Sequence, residues 1–416
     1  MPEHPQCPVN TDRLTRELAQ LANISEAEPP IVTRVVFSEA DLRARAFVQL
    51  LCTDAGLTLR HDAVGNTFAR WQGTQPDLAP VATGSHIDAI PNAGAFDGTI
   101  GVLGALEAIR SLQQAGFQPT RPIELVLFTS EEPTRFGIGC LGSRLMGGVL
   151  SPDQALALRD PEGRSLDSLR ADCGFVGSLE SVRLAPGHFH AFVELHIEQG
   201  KTLEHDGLDI GIVTAIAAPA ALWVTVQGEG GHAGAMLMPD RHDAIAAAAE
   251  LVLALERAAL ATHSIDSVAT VGLCEVFPGA VNSVPSRVRF SVDVRDTDAA
   301  RRDSILRELE TTAHQVSERR GVRITHELVN ADPPALCDPA TVAAVEAAAA
   351  EAGLKSRRMV SRAYHDSLFV ARVAPVAMIF IPCRNGVSHR PDEYASPQWI
   401  TAGVQTLAAT LWKLSA

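Results

Sequence analysis

The chain has 416 residues, 46% of them hydrophobic and 20% charged, and a formal net charge of -14, which suits a soluble protein of two or three domains at about 150 residues each. So acidic a chain, with a pI near 5.4, is a poor partner for nucleic acid or an anionic membrane, although a locally basic site could still take a small anionic substrate. The 7 cysteines form no CxxC pair, which argues against a disulfide framework or a zinc knuckle. With no signal-like N-terminus and no run near the ~18 apolar residues of a spanning helix, a cytoplasmic address is expected.

In chain order, residues 11–22 and 38–55 read as helices, the second opened by Ser38 and the acidic residues Glu39 and Asp41. A strand and turn follow over 57–71, and Val81 and Ala82 close a buried strand that gives way to TGSHIDAIPNAGAFDGTIG. There His86 and Asp88 alternate, and Asp97 lies in a Gly-rich turn before an apolar helix over 100–112. IELVLF at 123–128 reads as a further buried strand, stopping at Thr129-Ser130-Glu131-Glu132-Pro133, and AFVELHIE at 191–198 as another. This alternation predicts an α/β domain with a mostly parallel sheet.

From about Ile212 the pattern changes to strand 221–227, helix 240–261, strands 267–276 and 287–295, helix 297–320 and strand 322–328. That β-α-β-β-α-β order predicts a compact α+β, ferredoxin-like insert. The α/β pattern then resumes with helix 338–352, strand 373–381 and helix 397–414. The expected boundaries are 1–212 and 329–416 for the two parts of one domain and 213–328 for the insert.

Candidate chemistry collects where buried strands end. His86, Asp97, Glu131 with Glu132, His196 and His389 each follow such a run, and the C-terminal ends of strands are where open α/β sheets keep their sites. Imidazole and carboxylate together suit divalent cations, and two ions about 3.5–4 Å apart with a bridging carboxylate and hydroxide would make a hydrolase. Of the adjacent glutamates, one can bind metal and the other take a proton from water. Each residue also has a plainer reading: Asp97 as a helix cap, Glu131-Glu132 as an acidic turn, His196 as a core histidine, His389 as an exposed loop residue. In the insert, which also brings Asn282, His232 of GEGGHAG could stabilise an oxyanion, and the Arg295 guanidinium could hold a carboxylate unless it is spent on Asp293 or Asp296. No P-loop, dinucleotide fingerprint or GxSxG elbow is present. A metal-dependent binding protein without turnover has no use for an unligated Glu131 beside Glu132.

The stretches GSHIDAIPNAGAFDG, FTSEEPTRFG, ELHIEQG, GEGGHAG, VNSVPSRVRFSVDVRD and GVSHRPDEY resemble, in order and spacing, the M20-type amidohydrolases, which include L-carbamoylases, allantoate amidohydrolases and ureidoglycolate amidohydrolases. The resemblance implies an exopeptidase-like catalytic domain interrupted by a lid and dimerisation domain, and two divalent metal ions per subunit, manganese before zinc or nickel. By the same resemblance His86 and His196 hold one ion, Glu132 and His389 the other, Asp97 bridges them, and Glu131 is the general base. His232 reaches the site of the other subunit of a homodimer, and Gln199, Asn282 and Arg295 contact substrate.

Where many relatives carry SGAGHDA, this chain has Ser361-Arg362-Ala363-Tyr364-His365-Asp366-Ser367. SRAYHDSLF looks like the ureidoglycolate amidohydrolases, with Tyr364 and His365 as further substrate contacts; in the plainer reading Tyr364 packs beside His365. The implied substrate is ureidoglycolate, a step in recovering purine-ring nitrogen from allantoin, ahead of allantoate and N-carbamoyl amino acids.

Overall fold

Apolar runs and Gly-rich turns fold into two units in a computed structural model that describes residues 8–416. One comprises the chain up to Thr214 with Cys337–Met359 and His365–Ala416; the other comprises Ala215–Leu336 with Val360–Tyr364.

In the first unit a sheet carries, in neighbouring order, strands Ile210–Ile216, Val376–Ile381, Ala191–Ile197, Val81–Ser85, Ile123–Leu127, Thr67–Trp71 and Thr58–His61. The four middle strands run parallel. All of their residues are buried, as expected of strands covered on both faces and written as continuous apolar runs. The flanking pairings are antiparallel, so the sheet is mixed rather than mostly parallel. The turn around Asp62 to Asn66 folds 58–71 into a hairpin, and IGIVTAI, which from sequence marks a domain boundary, is a full strand of the sheet, with Ala335–Leu336 and Ser356–Ser361 pairing on its outer side.

Helix Thr99–Gln114 packs on the middle strands and against helix Pro397–Ser415. It is almost wholly buried, including Glu107. That carboxylate is matched by Arg13, whose Nε and Nη2 donate at 2.8 Å, and by the Asn10 backbone N–H at 2.8 Å. Asn10 also caps helix Thr11–Ala22 by accepting from Arg13 N, so helix start and ion pair are set by the same two residues.

In the second unit, strands Val268–Thr270, Arg287–Asp296, Ala218–Gln227 and Arg323–Ala331 form an antiparallel sheet in that order, and Cys274–Phe277 also pairs with Arg287–Asp296. Strict alternation along Arg287–Asp296 sends Val288, Phe290, Val292 and Val294 into a core with Leu251 and Leu255 of helix Ala244–Ala261 and Ile305 and Leu309 of helix Ala299–Arg320. Arg287, Arg289, Asp293 and Arg295 therefore share the opposite face. Among the described residues no helix is long and apolar enough to cross a membrane.

Arg13→Ala would leave Glu107 buried without its cation at a cost of about 3 kcal/mol. We expect a lower urea midpoint for this variant, with most of the loss recovered when Glu107→Leu is added.

Candidate metal centre

The four parallel strands deliver side chains to one edge of the sheet. His86 follows Val81–Ser85, Glu131 and Glu132 follow Ile123–Leu127, His196 is the penultimate residue of Ala191–Ile197, and His389 lies in the loop after Val376–Ile381. Asp97 enters from the turn that starts helix Thr99–Gln114, where Gly98 is the N-cap with φ +65°. A Cβ on Gly98 would sit 2.4 Å from His86 Nε2, so both backbone and space require glycine.

Asp97 is shared. Its Oδ1 lies 3.1 Å from His196 Nε2 and 3.8 Å from His86 Nε2, while its Oδ2 lies 3.0 Å from His389 Nε2. His389 Nε2 is also 3.1 Å from Glu132 Oε1. Two of the three groups that could hold a metal among the described residues share Asp97, His86 with Asp97 and His196, and Asp97 with Glu132 and His389; the third joins Glu194, His196 and His365. The far nitrogens of two rings are engaged elsewhere: His86 Nδ1 on the Asp88 carbonyl at 3.0 Å and His196 Nδ1 on the Ile197 carbonyl at 2.9 Å. Their Nε2 atoms are thereby turned toward the cluster, as backbone carbonyls commonly orient metal-binding imidazoles.

The electrostatics fit a cation. Burial opposes charge on Asp97, but hydrogen bonds with His196 and His389 outweigh it and hold the carboxyl well below its ordinary range. Burial likewise opposes charge on His196, yet Asp97 raises it to about 9; Asp97 and Glu132 raise His389 to about 11. Protons held this strongly between imidazole and carboxylate mark places where positive charge is wanted. Glu131 is pushed well above the usual carboxylate range, first by burial and then by the negative charge of Glu132, Asp366, Asp97 and Asp88. Clustered imidazoles and carboxylates with surplus negative charge point to divalent metal binding.

Several residues support the centre without belonging to either ligand group around Asp97. Asp88, level with His86 in the alternation, does not join the ligand groups; it accepts the backbone N–H of Glu131 at 3.2 Å and of Glu132 at 3.1 Å. Glu393 Oε1 accepts from Phe96 N at 2.7 Å and Asp97 N at 3.0 Å, and Ser388 Oγ links Glu393 to Asp97 Oδ2. Gln199 Nε2 donates to Asp97 Oδ2 at 2.8 Å. Ser130, Cys140, Gln199 and His389 all have positive φ, a costly conformation that gathers at functional sites and cannot be read from composition. Cys140 Sγ lies 3.4 Å from Glu131 Oε1. His365 is buried behind His196, with ring centroids 4.4 Å apart.

The remaining candidates belong to the second unit. His232 pairs with Ser283, and the Asn282 carbonyl accepts from Ala233 N at 2.8 Å; both side chains are exposed. Arg295 donates from Nε to Asp293 Oδ1 at 2.8 Å and from Nη2 to Oδ2 at 3.2 Å, so the ion pair weighed from sequence is formed with Asp293. Its guanidinium carbon lies 5.7 Å from the Tyr364 ring centroid.

Comparison with known proteins gives consistent results. The profile described as peptidase family M20/M25/M40 matches residues 82–413. The chain is 50% identical over 414 residues to a ureidoglycolate hydrolase of Arabidopsis thaliana, covering 98% of this chain and 87% of the relative. It is 38% identical over 410 residues to an N-carbamoyl-L-amino acid amidohydrolase of Geobacillus stearothermophilus, covering 98% and 99%. The crystal structure of AtUAH in complex with glyoxylate matches with a TM-score of 0.89 at 50% identity, covering 98% of each chain.

Gly98→Ala would drive a methyl group into the His86 ring. We expect loss of bound divalent metal by elemental analysis after desalting, with the melting temperature lowered by several degrees for about 1–3 kcal/mol of strain.

Proposed function

Because the chain belongs to the peptidase family M20/M25/M40, we propose that this hydrolase cleaves the ureido C–N bond of ureidoglycolate with two divalent metal ions, releasing ammonia, carbon dioxide and glyoxylate. The observation that carries the two-ion reading is Asp97, whose two oxygens face different ligand groups. The half-identical ureidoglycolate hydrolase supports the substrate.

His86, His196 and Asp97 would hold one ion and Asp97, Glu132 and His389 the other; imidazole and carboxylate donors admit manganese, zinc or nickel, and the family resemblance favours manganese. Bound there, the ions supply Lewis acidity and lower the pKa of water. Glu131 takes the proton of the attacking water, a role that suits a buried carboxylate belonging to neither ligand group. It then passes that proton to the leaving nitrogen, so ammonia departs. The carbamate left behind loses carbon dioxide, and the resulting hydroxyglycine loses a second ammonia to give glyoxylate. Arg295 and Asn282 bind the substrate carboxylate, Gln199, Tyr364 and His365 shape the pocket, and His232 donates to the oxyanion.

This division of labour requires a homodimer. His232 and Asn282 lie at the Ser283 hairpin, next to the Arg287 end of strand Arg287–Asp296, whereas Arg295 is near its far end. At ~3.3 Å per residue the two ends are roughly 25 Å apart. A short ureido acid cannot reach both within one chain, so His232 and Asn282 are proposed to act from a partner subunit. Exposed Leu253, Leu260, Leu273 and Val281 of the same unit offer apolar surface for such an interface. The insert is thus read as a lid and dimerisation domain over 213–328, and the enzyme as cytoplasmic.

Assayed for ammonia release against ureidoglycolate, allantoate and N-carbamoyl amino acids, the manganese-loaded protein should turn over ureidoglycolate fastest; preference for another member of the panel would reassign the substrate. Glu131→Gln should lower kcat by about 10²–10⁴-fold while elemental analysis finds both metals retained. His232→Ala and Arg295→Ala should each be inactive alone. Unfolded and refolded together, they should recover about a quarter of the wild-type activity, from one complete site in half of the dimers of a random mixture.

A further inference from the structure

Asn66 lies far in sequence from every candidate ligand, in the turn between strands Thr58–His61 and Thr67–Trp71, and is fully buried. Its Oδ1 accepts the Thr129 backbone N–H at 2.9 Å; its Nδ2 donates to Asp62 Oδ2 at 2.8 Å and to the Gly142 carbonyl at 3.3 Å. These partners fix the amide orientation, since one can only donate and two can only accept. Asp62 is anchored in turn by the backbone N–H groups of Val64, Gly65 and Asn66, all received by Oδ1.

The two backbone groups that Asn66 holds belong to facing segments. Gly142 N donates to Thr129 O, Leu141 N to Ser130 O and Cys140 N to Glu131 O at 2.7–2.9 Å, so residues 129–131 and 140–142 form a short ladder with Glu131 at one end and Asn66 across the other. Ser130 and Cys140 within it have φ values of +57° and +55°, and a ladder with two such residues persists only if its surroundings determine it. Arg45, paired with Asp41, reinforces the same end through Gly65 O and Thr129 Oγ1. A Cβ on Gly142 would come within 2.0 Å of Asn66 Oδ1, so amide and ladder are in direct contact.

We propose that Asn66 is a positioning residue for the Glu131–Glu132 pair: its amide ties Thr129 to Gly142 and so sets where one glutamate meets substrate water and the other meets metal. The inference rests on the roles given above to Glu131 and Glu132. It does not depend on which ureido compound is the substrate.

The test uses Asn66→Ala and Asn66→Asp in the full-length protein, with manganese binding followed by isothermal titration calorimetry using MnCl₂ and turnover followed by ammonia release. Asn66→Ala should weaken manganese binding by about 10-fold and lower kcat by about 10–100-fold with KM within about 2-fold, the usual scale for residues that orient metal ligands. Asn66→Asp keeps the acceptor for Thr129 and loses the donor to Gly142. Protonation returns that donor, and the Asp62 carboxylate beside it favours protonation. Its kcat relative to wild type should therefore rise as pH falls. Wild-type manganese affinity and kcat in either variant would overturn the proposal, as would an Asn66→Asp deficit that is constant with pH. If wild type leaves ureidoglycolate intact while both variants still bind manganese weakly, the substrate assignment fails and the positioning role stands.

Discussion

The structure depends on a concentration of negative charge that its own imidazoles offset only in part. Asp88, Asp97, Glu131, Glu132, Glu194 and Asp366 are all buried at one edge of the sheet, and an isolated carboxylate held away from water costs several kcal/mol unless it is paired, protonated or bound to metal. Strand ends and one glycine turn bring them there, and backbone N–H groups, imidazoles and hydroxyls hold them in place. Stability is committed locally to a centre that becomes favourable once cations enter it, so metal binding and correct folding of this edge support each other.

Asp97 is the point at which the two halves of the centre meet. It is held from both sides: its backbone N–H by Glu393, its Oδ2 by Gln199 and Ser388, its Oδ1 by the imidazole of His196. A carboxylate so engaged has little rotational freedom left to lose when a cation binds, which is the sense in which the site is preorganised.

Much of this was legible in the sequence because parallel strands announce themselves. VATGS, IELVL, AFVELHI and VAMIFI are short, largely apolar runs that are buried throughout, and residues with candidate side chains lie at or beyond their ends, so His86, Glu131, Glu132, His196 and His389 could be gathered by asking where buried runs end. The antiparallel margins were less visible: IGIVTAI fell where the pattern changes, and the return of Val360–Tyr364 to the second unit follows from tertiary contacts alone. The supporting residues were hidden for a different reason. Glu393 and Asn66 act on backbone N–H groups, as does Asp88, which the alternation with His86 had marked as a carboxylate at the site but not as a backbone acceptor; which amides such side chains reach depends on turns that composition does not reveal. Arg295 had two readings of similar weight, and only coordinates could show that Asp293 takes two of its N–H groups.

The thiol of Cys140, the side chain 3.4 Å from Glu131 Oε1, has one more consequence. Sulfur is a reluctant hydrogen-bond donor, so it fills space beside the carboxylate while withdrawing little of its electron density. An alcohol in the same place would solvate the anion more strongly and blunt its appetite for a proton. Burial keeps the thiol itself far from ionising, so it adds no charge and offers no nucleophile to compete with water. Sulfur in place of oxygen here would keep Glu131 basic, as the role proposed for it asks.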